Sequence, residues 1–452
     1  MKIALCGDAL FSSRNLLKRF EQTLLDMLGQ ADVRFVNAEF CTPKRKTPPA
    51  AGRGYTTSVR EETLDELKDL GFDLVAFANN HTGDYGSAGV IDTLEAAEKR
   101  GLIPCGIGRS LDEARAPAFF DTKKGRVGVV TVCTTRSEVF AASKGGNGVP
   151  PRPGLNPLRW KQSYVLPENL YFQLKAIDEA LGTRASMAEG LRVETMPAPG
   201  EDRFRFGSLY EGNLMIERGE RAYVKTHMNE RDKEENLRAI RDCKKRADIA
   251  IVSIHTHEGV NENWYSEQPA EFVREFARLA IESGADAVVG HGAHFLRAVE
   301  IYRGAPIFYN LGSLLMEFEA GESIIPPEMY EDYNLKGDSF PSDLHGNRAK
   351  DTNGEFIGFN AEPRFSRGCV AVLDCDGGKI ESRLKPVDLR MNSDRTANRG
   401  IPVSASHETG EEIAAYLNKI GGEHGAKCRY DREDACIRIA PVQESLRLGR
   451  SL

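Results

Sequence analysis

The sequence predicts an α/β fold built on a mostly parallel, buried sheet. Short apolar runs alternate along the chain with amphipathic helical patterns, which is the order expected when helices join parallel strands. Polar clusters follow several of these runs directly, as they do at the site-bearing edge of α/β sheets. At 452 residues, the chain is long enough for one large core with insertions or for two domains.

The alternation is clearest over residues 1–135, which we expect to form the first part of the core. A strand is predicted from Ile3 to Cys6, and a helix from Leu16 to Leu28 follows it. Further strands are predicted at 33–37, 74–77 and 127–133, and further helices at 61–70 and 88–100. The last of these strands is rich in β-branched residues, which favour strands.

The pattern changes over residues 136–247, which we interpret as an insertion or cap that ends in a core helix. Glycine and proline are concentrated at 145–154, as is typical of loops. One strong helical pattern follows at 168–181, and the charged helix predicted at 229–246 leads back to the core.

The core resumes over residues 248–320, with strands predicted at 249–254, 287–289, 298–302 and 306–310 and a helix at 268–283. Residues 321–366 are polar, with scattered proline and glycine, and predict a long loop or lid. Residues 367–452 are predicted to complete the core as a C-terminal extension. They contain a hairpin around Asp376, a helix at 411–419 and a strand at 435–439.

The composition excludes several classes of partner. The formal net charge is -7 and no block rich in lysine or arginine occurs, so we expect no nucleic-acid partner. No apolar run of about 18 residues occurs, so we expect no membrane partner. Nine cysteines without a Cys-x-x-Cys pair favour a reducing cytoplasm, and the N-terminal apolar run is too short for a signal peptide. The oligomeric state is not indicated.

Five polar clusters follow predicted strands and carry the candidate chemistry. They contain Asp8, Glu39, Asn80, His81, His255, His257, His291 and His294. Each residue alone is typical of a structural role, such as a helix cap or a buried imidazole with a hydrogen-bond partner. Five of the nine histidines fall in these clusters, however, which favours one shared site. Carboxylate, amide and imidazole groups together suit one or two ions of manganese, zinc or iron. Such ions activate water and polarise an electrophile.

The order of these clusters resembles the CapA (poly-γ-glutamate capsule) family of the calcineurin-like metallophosphoesterases. The resemblance rests on Gly-Asp, Asn-x-Glu, Asn-Asn-His, Ser-x-His and the stretch from Gly284 to His294, and continues from Glu300 to Ser313. It covers about residues 1–135 and 248–318. It implies a four-layer α/β/β/α sandwich of metallophosphoesterase type, with an inserted cap region and a C-terminal extension.

The resemblance also implies roles for the residues of the clusters. The implied metal ligands are Asp8, Glu39, Asn80, His255, His291 and His294. His81 is implied as a general acid or transition-state stabiliser. His257 has no counterpart in the family pattern, so it is a candidate ligand, acid/base or neighbour. Many members of the wider superfamily have histidine where Leu10 stands and aspartate where Glu39 stands. These two differences leave the number of ions, one or two, open.

Substrate contacts are predicted outside the clusters. Arg152, Arg159 and Trp160 lie in a proline-rich stretch and could hold a carboxylate or phosphate beside an aromatic wall. Arg53, between two glycines, is a further candidate anion contact. An ordinary solvated loop with a packed tryptophan would produce the same pattern.

Three functions are compatible with these residues. The first is metal-dependent hydrolysis of a small anionic substrate, with a phosphoester bond or a glutamyl or peptide amide bond as the target. The second is metal-independent epimerisation of a peptide or amino acid, in which Asp8 and a histidine such as His81 or His257 move a Cα proton. The third is a non-catalytic binding protein, which the density of buried polar groups disfavours.

Overall fold

The computed structural model describes residues 1–442, apart from residues 53, 211, 318, 320, 423 and 424. The strands are β1 (Lys2–Phe11), β2 (Val33–Ala38), β3 (Leu74–Ala76), β4 (Ile103–Cys105), β5 (Ile107–Gly108), β6 (Ala118–Thr122), β7 (Gly125–Cys133), β8 (Gly154–Leu155), β9 (Trp160–Pro167), β10 (Arg203–Phe206), β11 (Leu214–Gly219), β12 (Tyr223–Met228), β13 (Ile249–Thr256), β14 (Ala287–Gly292), β15 (Val299–Tyr302), β16 (Ala305–Phe308), β17 (Ser313–Glu317), β18 (Arg367–Asp376), β19 (Lys379–Asp388), β20 (Val403–Ser404), β21 (Lys427–Asp431) and β22 (Cys436–Ala440). The α-helices are α1 (Leu16–Arg19), α2 (Gln22–Gly29), α3 (Thr63–Asp69), α4 (Gly86–Lys99), α5 (Leu111–Arg115), α6 (Ser137–Phe140), α7 (Glu168–Leu181), α8 (Thr183–Val193), α9 (Glu230–Arg246), α10 (Glu271–Glu282), α11 (Pro327–Asp332), α12 (Pro341–Ala349), α13 (Gly358–Ala361) and α14 (His407–Gly421).

The first sheet has the strand order β21-β22-β19-β18-β1-β2-β3-β4, with β17 also paired to β1. Strands β1 to β4 are parallel and joined by helices, as the alternating sequence pattern predicts. The antiparallel hairpin of β18 and β19 extends this sheet from the other side of β1. Strand β1 is buried along nearly its whole length, which is why its sequence is a continuous apolar run around Asp8.

The second sheet has the order β15-β16-β14-β13-β7-β6 and is parallel from β7 to β16. The register of β13 and β14 places His255 directly opposite His291. Strand β13 is buried throughout, because the first sheet and the outer helices cover its two faces.

The two sheets pack face to face, with helices on both outer surfaces. One core cluster joins Leu5 and Phe35 of the first sheet to Val129 and Ile251 of the second. Helices α2, α3 and α4 cover the far side of the first sheet through a separate apolar cluster. Helices α9 and α10 cover the second sheet, and α10 does so with a stripe of apolar residues that includes Phe276. The predicted four-layer α/β/β/α sandwich is therefore confirmed.

The chain between β7 and α9 forms a small sheet of its own, with the order β10-β11-β9-β12. Helix α7, predicted from its apolar periodicity, packs on this sheet with Tyr171 buried against Phe204 and Ile216. Helix α9 then begins at Asn229, whose side chain accepts a hydrogen bond from the backbone N–H of Asp232 and so caps the helix.

The segment 321–366 differs from the long loop that the sequence predicts. It contains α11, α12 and α13, and Met329, Tyr330 and Leu344 form a small apolar cluster within it. Prolines at the first turns of α11 and α12 begin these helices instead of preventing them. Within the described part of the chain, no helix is both long and apolar enough to cross a bilayer.

Candidate metal centre

The ends of the central strands of both sheets meet at one place. Asp8 of β1 pairs with Asn37 of β2 and with Ser313 of β17. Glu39 lies one residue beyond β2, whereas His255 and His291 lie near the ends of β13 and β14. The loop after β14 turns at His294, whose φ of 65° is left-handed. The topology thus brings residues that are 286 positions apart in sequence to one edge.

The first candidate metal group consists of Asp8, His255 and His291, all of them fully buried. Nδ1 of His291 lies 3.7 Å from Oδ1 of Asp8 and 3.0 Å from Nδ1 of His255. The other ring nitrogens are already engaged, since Nε2 of His291 lies 2.7 Å from the hydroxyl of Ser253 and Nε2 of His255 lies 2.7 Å from Oδ1 of Asn80.

These contacts fit a cation in the first group. If each Nε2–H donates to its oxygen partner, both Nδ1 atoms present lone pairs to each other and to Asp8. Burial, with a further contribution from His291, lowers the pKa of His255 well below its usual value, and burial lowers the pKa of His291 to about 4. Both rings are therefore neutral near pH 7, and in this tautomer no proton lies between the two Nδ1 atoms. A divalent ion accepts such convergent lone pairs.

The second candidate group consists of Glu39, His257 and His294. Oε1 of Glu39 lies 3.7 Å from Nε2 of His257 and 3.8 Å from Nε2 of His294. These spacings are too long for hydrogen bonds. They match the separation of about 3–4 Å between ligand atoms that each lie 2.0–2.2 Å from one ion.

Unpaired polar atoms in the second group provide an independent test of this fit. Both carboxylate oxygens of Glu39 and Nε2 of His257 are buried with no hydrogen-bond partner among the described residues. Burial and the neighbouring charge of Asp8 raise the pKa of Glu39 well above its usual value. Burying such groups unpaired is costly. The donor set fits a divalent ion, which would satisfy all three atoms.

Asp8 belongs to the first group and also contacts His294 of the second. Its Oδ2 lies 3.2 Å from Nδ1 of His294 and accepts a hydrogen bond from the backbone N–H of Gly292 at 2.9 Å, while Oδ1 accepts from the Asn37 amide. Burial alone would raise the pKa of Asp8, but the hydrogen bond from His294 and the neighbouring imidazoles lower it below its usual value. Asp8 is therefore an anion in contact with both groups.

Asn80 has a different contact from the one implied by the family resemblance. Its side-chain oxygen is 2.7 Å from Nε2 of His255, so it orients that imidazole towards the first group. His257, for which the family pattern has no counterpart, instead supplies a nitrogen to the second group.

His81 stands at the mouth of the centre and is held at both ring nitrogens. Nδ1 lies 2.7 Å from Oδ2 of Asp84, and Nε2 lies 3.2 Å from the hydroxyl of Thr57. Asp84 is fully buried and also accepts the backbone N–H of Thr57 at 2.7 Å. His81 also lines the neighbouring cavity.

Several supporting residues were not predicted from the sequence. Arg297 is fully buried, and its guanidinium donates to the backbone carbonyls of His257 at 2.8 Å and of Glu258 at 3.1 Å. It thereby holds the loop that carries His257. A fully buried arginine carries no sequence signal of its own, although its place three residues after His294 could have drawn attention to it.

A cavity of about 530 Å³ opens onto the centre. His81 and His294 form part of its wall, together with Tyr55, Leu10 and residues of the segment 321–366. The volume is in the range of small-molecule sites.

The predicted substrate contacts do not reach this cavity. Arg159 forms a two-pronged ion pair with the buried carboxylate of Asp232, at 2.7 Å and 2.9 Å. Trp160 stacks on Phe272 with ring centroids 4.9 Å apart, and Arg152 donates to the backbone carbonyl of Ala141. These three residues therefore lie away from the metal centre, and a role for them in substrate binding stays a prediction. Arg53 lies outside the described residues.

Two solved structures show weak similarity to the fold. A hypothetical protein from Thermus thermophilus has a TM-score of 0.36 and 13% identity, and the match covers 85% of this chain and 98% of that one. A phosphatase from Mycoplasma pneumoniae also has a TM-score of 0.36 and 13% identity, over 87% of this chain and 89% of that one. Similarity at this level assigns no activity.

Sequence relatives are more informative about the family. The uncharacterized protein y4sH of Sinorhizobium fredii is 31% identical over 92% of this chain and 88% of its own length. The PGA biosynthesis protein CapA of Bacillus subtilis is 25% identical over 61% of this chain and 50% of its own length. The family model described as "Bacterial capsule synthesis protein PGA_cap" matches residues 2–317. The chain therefore belongs to the PGA_cap family of bacterial capsule synthesis proteins.

Proposed function

We propose that the protein is a metal-dependent hydrolase of a small anionic substrate. The observation that supports this most strongly is the convergence of two buried groups, each with one carboxylate and two imidazoles, beside a cavity. Asp8, His255 and His291 would hold one divalent ion of manganese, zinc or iron, and Glu39, His257 and His294 a second. Bound ions of this kind supply Lewis acidity and lower the pKa of water.

The residues of the chain have separate roles in this proposal. Ser253 and Asn80 orient the imidazoles of the first group through the 2.7 Å contacts to their Nε2 atoms. His81 donates a proton from Nε2 to the leaving group, after it exchanges its contact with Thr57 for one with substrate. In this step the ring is the imidazolium: its Nδ1–H donates to Asp84, and its Nε2–H is the proton that the leaving group receives.

Two scissile bonds suit this machinery, a phosphoester and a glutamyl or peptide amide. The names of curated relatives, such as the PGA biosynthesis protein of Bacillus subtilis, support glutamyl material. We expect neither nucleic acid nor a membrane as partner, in keeping with the net charge of -7. All nine cysteines are free thiols and eight are buried, which supports action in a reducing compartment such as the cytoplasm.

The test is an assay of purified protein against 4-nitrophenyl phosphate and γ-glutamyl-glutamate, with manganese, zinc or a chelator, in D₂O. We expect cleavage of one substrate that chelation and Asp8→Asn abolish, with no deuterium at Cα. Deuterium incorporation that survives chelation, without cleavage, would contradict the hydrolase and support the epimerase. No turnover of any substrate, with ligand binding unchanged in Asn80→Ala and His81→Ala, would support a binding protein.

A further inference from the structure

The cavity beside the metal centre has a second wall, supplied by the segment 321–366. Tyr333 of this segment and residues 345, 347 and 348 of α12 line the cavity together with Tyr55 and His81. A wall built from a different part of the chain than the metal groups is well placed to select the substrate without taking part in the chemistry.

Two arginines line this cavity, and only one of them has its charge neutralised. Arg399 forms an ion pair with Glu319 at 2.9 Å and donates to two further oxygens. Arg348 instead donates to the hydroxyl of Tyr55. No carboxylate oxygen among the described residues lies within 4.0 Å of a guanidinium nitrogen of Arg348. A partly buried guanidinium without an acidic partner favours an anionic ligand.

Aromatic rings hold this guanidinium in place. Its Cζ lies 4.5 Å from the ring centroid of Tyr55 and 5.5 Å from that of Tyr333. Cation–π contacts on two rings leave its remaining N–H groups available to a ligand and lower the entropy lost on binding. His345, one turn earlier on α12, has its pKa lowered to about 3 by burial and by the charge of Arg348, so it adds no second charge near pH 7.

The position of Arg348 relative to the metal centre limits what it can bind. The ring of Tyr55 lies 6.3 Å from the ring of His81, and the guanidinium lies on the same tyrosine. Arg348 and His81 therefore both lie beside Tyr55 on the wall of one cavity, within reach of one small molecule.

Building on the proposed function, we propose that Arg348 binds an oxyanion of the substrate, a carboxylate or a phosphate, that is separate from the bond to be cleaved. The substrate class is then a small molecule with two functional ends. The scissile group faces His81 and the metal centre, and an anionic oxygen group at the other end contacts the guanidinium between Tyr55 and Tyr333.

The experiment is calorimetric titration of the manganese-loaded, full-length protein with two probes, glutarate and inorganic phosphate. Wild type is compared with Arg348→Gln, Arg348→Lys and the matched control Lys336→Gln. Lys336 is an exposed cation of the same segment that does not line the cavity. Melting temperatures of all four proteins verify folding. If Arg348→Gln fails to fold, Arg348→Lys, which retains the charge, provides the comparison with wild type.

We expect Arg348→Gln to weaken binding of at least one probe by about 10-fold or more, because charge-assisted hydrogen bonds are lost. Arg348→Lys should retain part of the affinity, and Lys336→Gln all of it. Weaker binding of glutarate alone identifies a carboxylate, and weaker binding of phosphate alone identifies a phosphate. Equal affinities of wild type and Arg348→Gln for both probes, or no binding of either probe to wild type, would overturn the proposal.

This result is separable from the proposed function. Binding of a probe that depends on Arg348, in a protein that turns over neither test substrate, would leave the anion site standing and remove the hydrolase. Metal-dependent turnover in a protein whose probe affinities do not depend on Arg348 would support the hydrolase and remove the anion site.

Discussion

His81 and Asp84 form a buried pair in which Nδ1 of the imidazole lies 2.7 Å from Oδ2 of the carboxylate. The same oxygen accepts the backbone N–H of Thr57, whose hydroxyl contacts the other ring nitrogen of His81. Both nitrogens of the ring are therefore fixed by residues that do not belong to the metal groups. We therefore expect Asp84 to act on turnover mainly by positioning that imidazole.

Replacing Asp84 with asparagine should lower turnover by about 10- to 100-fold and leave metal content unchanged, because a neutral amide supports the protonated imidazole of His81 less well than a carboxylate does. His81→Gln should cost more, about 100-fold or above. Since Asp84 acts through His81, the double variant should be no slower than His81→Gln alone. Losses that multiply in the double variant, measured by steady-state kinetics, would contradict this coupling.

Glu39 should destabilise the metal-free protein and stabilise the metal-bound one. Both of its oxygens are buried without hydrogen-bond partners among the described residues, so the chelated Glu39→Gln variant should melt at or above the temperature of chelated wild type. Manganese at about 100 times its Kd should stabilise wild type by about 2.7 kcal/mol, and the variant by less. Thermal melts with manganese and with chelator provide the measurement. An equal rise in melting temperature on adding manganese in both proteins would show that Glu39 is not a metal ligand.

Gly292→Ala should impair metal binding without removing any ligand. A Cβ at this position would lie 3.0 Å from Cε1 and 3.1 Å from Nε2 of His255, and the backbone φ is 113°. Gly304→Ala is the matched control, since its φ is 86° but nothing lies within 4 Å of its Cβ. Both variants should lose roughly 1–2 kcal/mol of stability to the positive φ. Only Gly292→Ala should also bind manganese more weakly in equilibrium dialysis, and equal affinities in the two variants would contradict this account.

His345 should make the protein sensitive to acid. Its pKa is lowered to about 3 in the folded state, against about 6.5 in an unfolded chain. Between pH 3 and pH 6.5 the unfolded state binds more protons at His345 than the folded state does. The titration of His345 therefore leaves the free energy of unfolding unchanged above pH 6.5 and lowers it as the pH drops towards 3. The melting temperature of wild type should therefore decline more steeply from pH 7 to pH 5 than that of His345→Gln. Parallel declines would show that His345 does not contribute.

The sandwich could be predicted from the sequence because its determinants are local. Runs such as Ile249 to Ile254 are apolar throughout, as strands buried on both faces must be, and polar residues follow them directly. The segment 321–366 was not predicted as helical, since α11 and α13 have only 6 and 4 residues. Helices this short depend on tertiary packing, which periodicity does not reveal.

The candidate site could also be predicted only in part from the sequence. The residues that converge on it follow strands, and the sequence indicates them together. Their division into two groups depends on tertiary structure, which places His257, one residue beyond β13, 3.7 Å from Glu39. Arg159 was an attractive anion contact in sequence, yet Asp232, 73 positions away, neutralises it. Arg348 has no distinguishing neighbours in the sequence. Its significance comes from two tyrosines and from the absence of an acidic partner among the described residues.

The central claim is that the two buried groups hold divalent metal. The most direct test is the metal content of the purified protein by inductively coupled plasma mass spectrometry, for wild type and for the double variant His291→Ala, His294→Ala, which removes one ligand from each group. We expect about one or two equivalents of a transition metal in wild type and a loss of that metal in the variant. Wild-type protein that contains no metal, even after incubation with manganese or zinc, would contradict it.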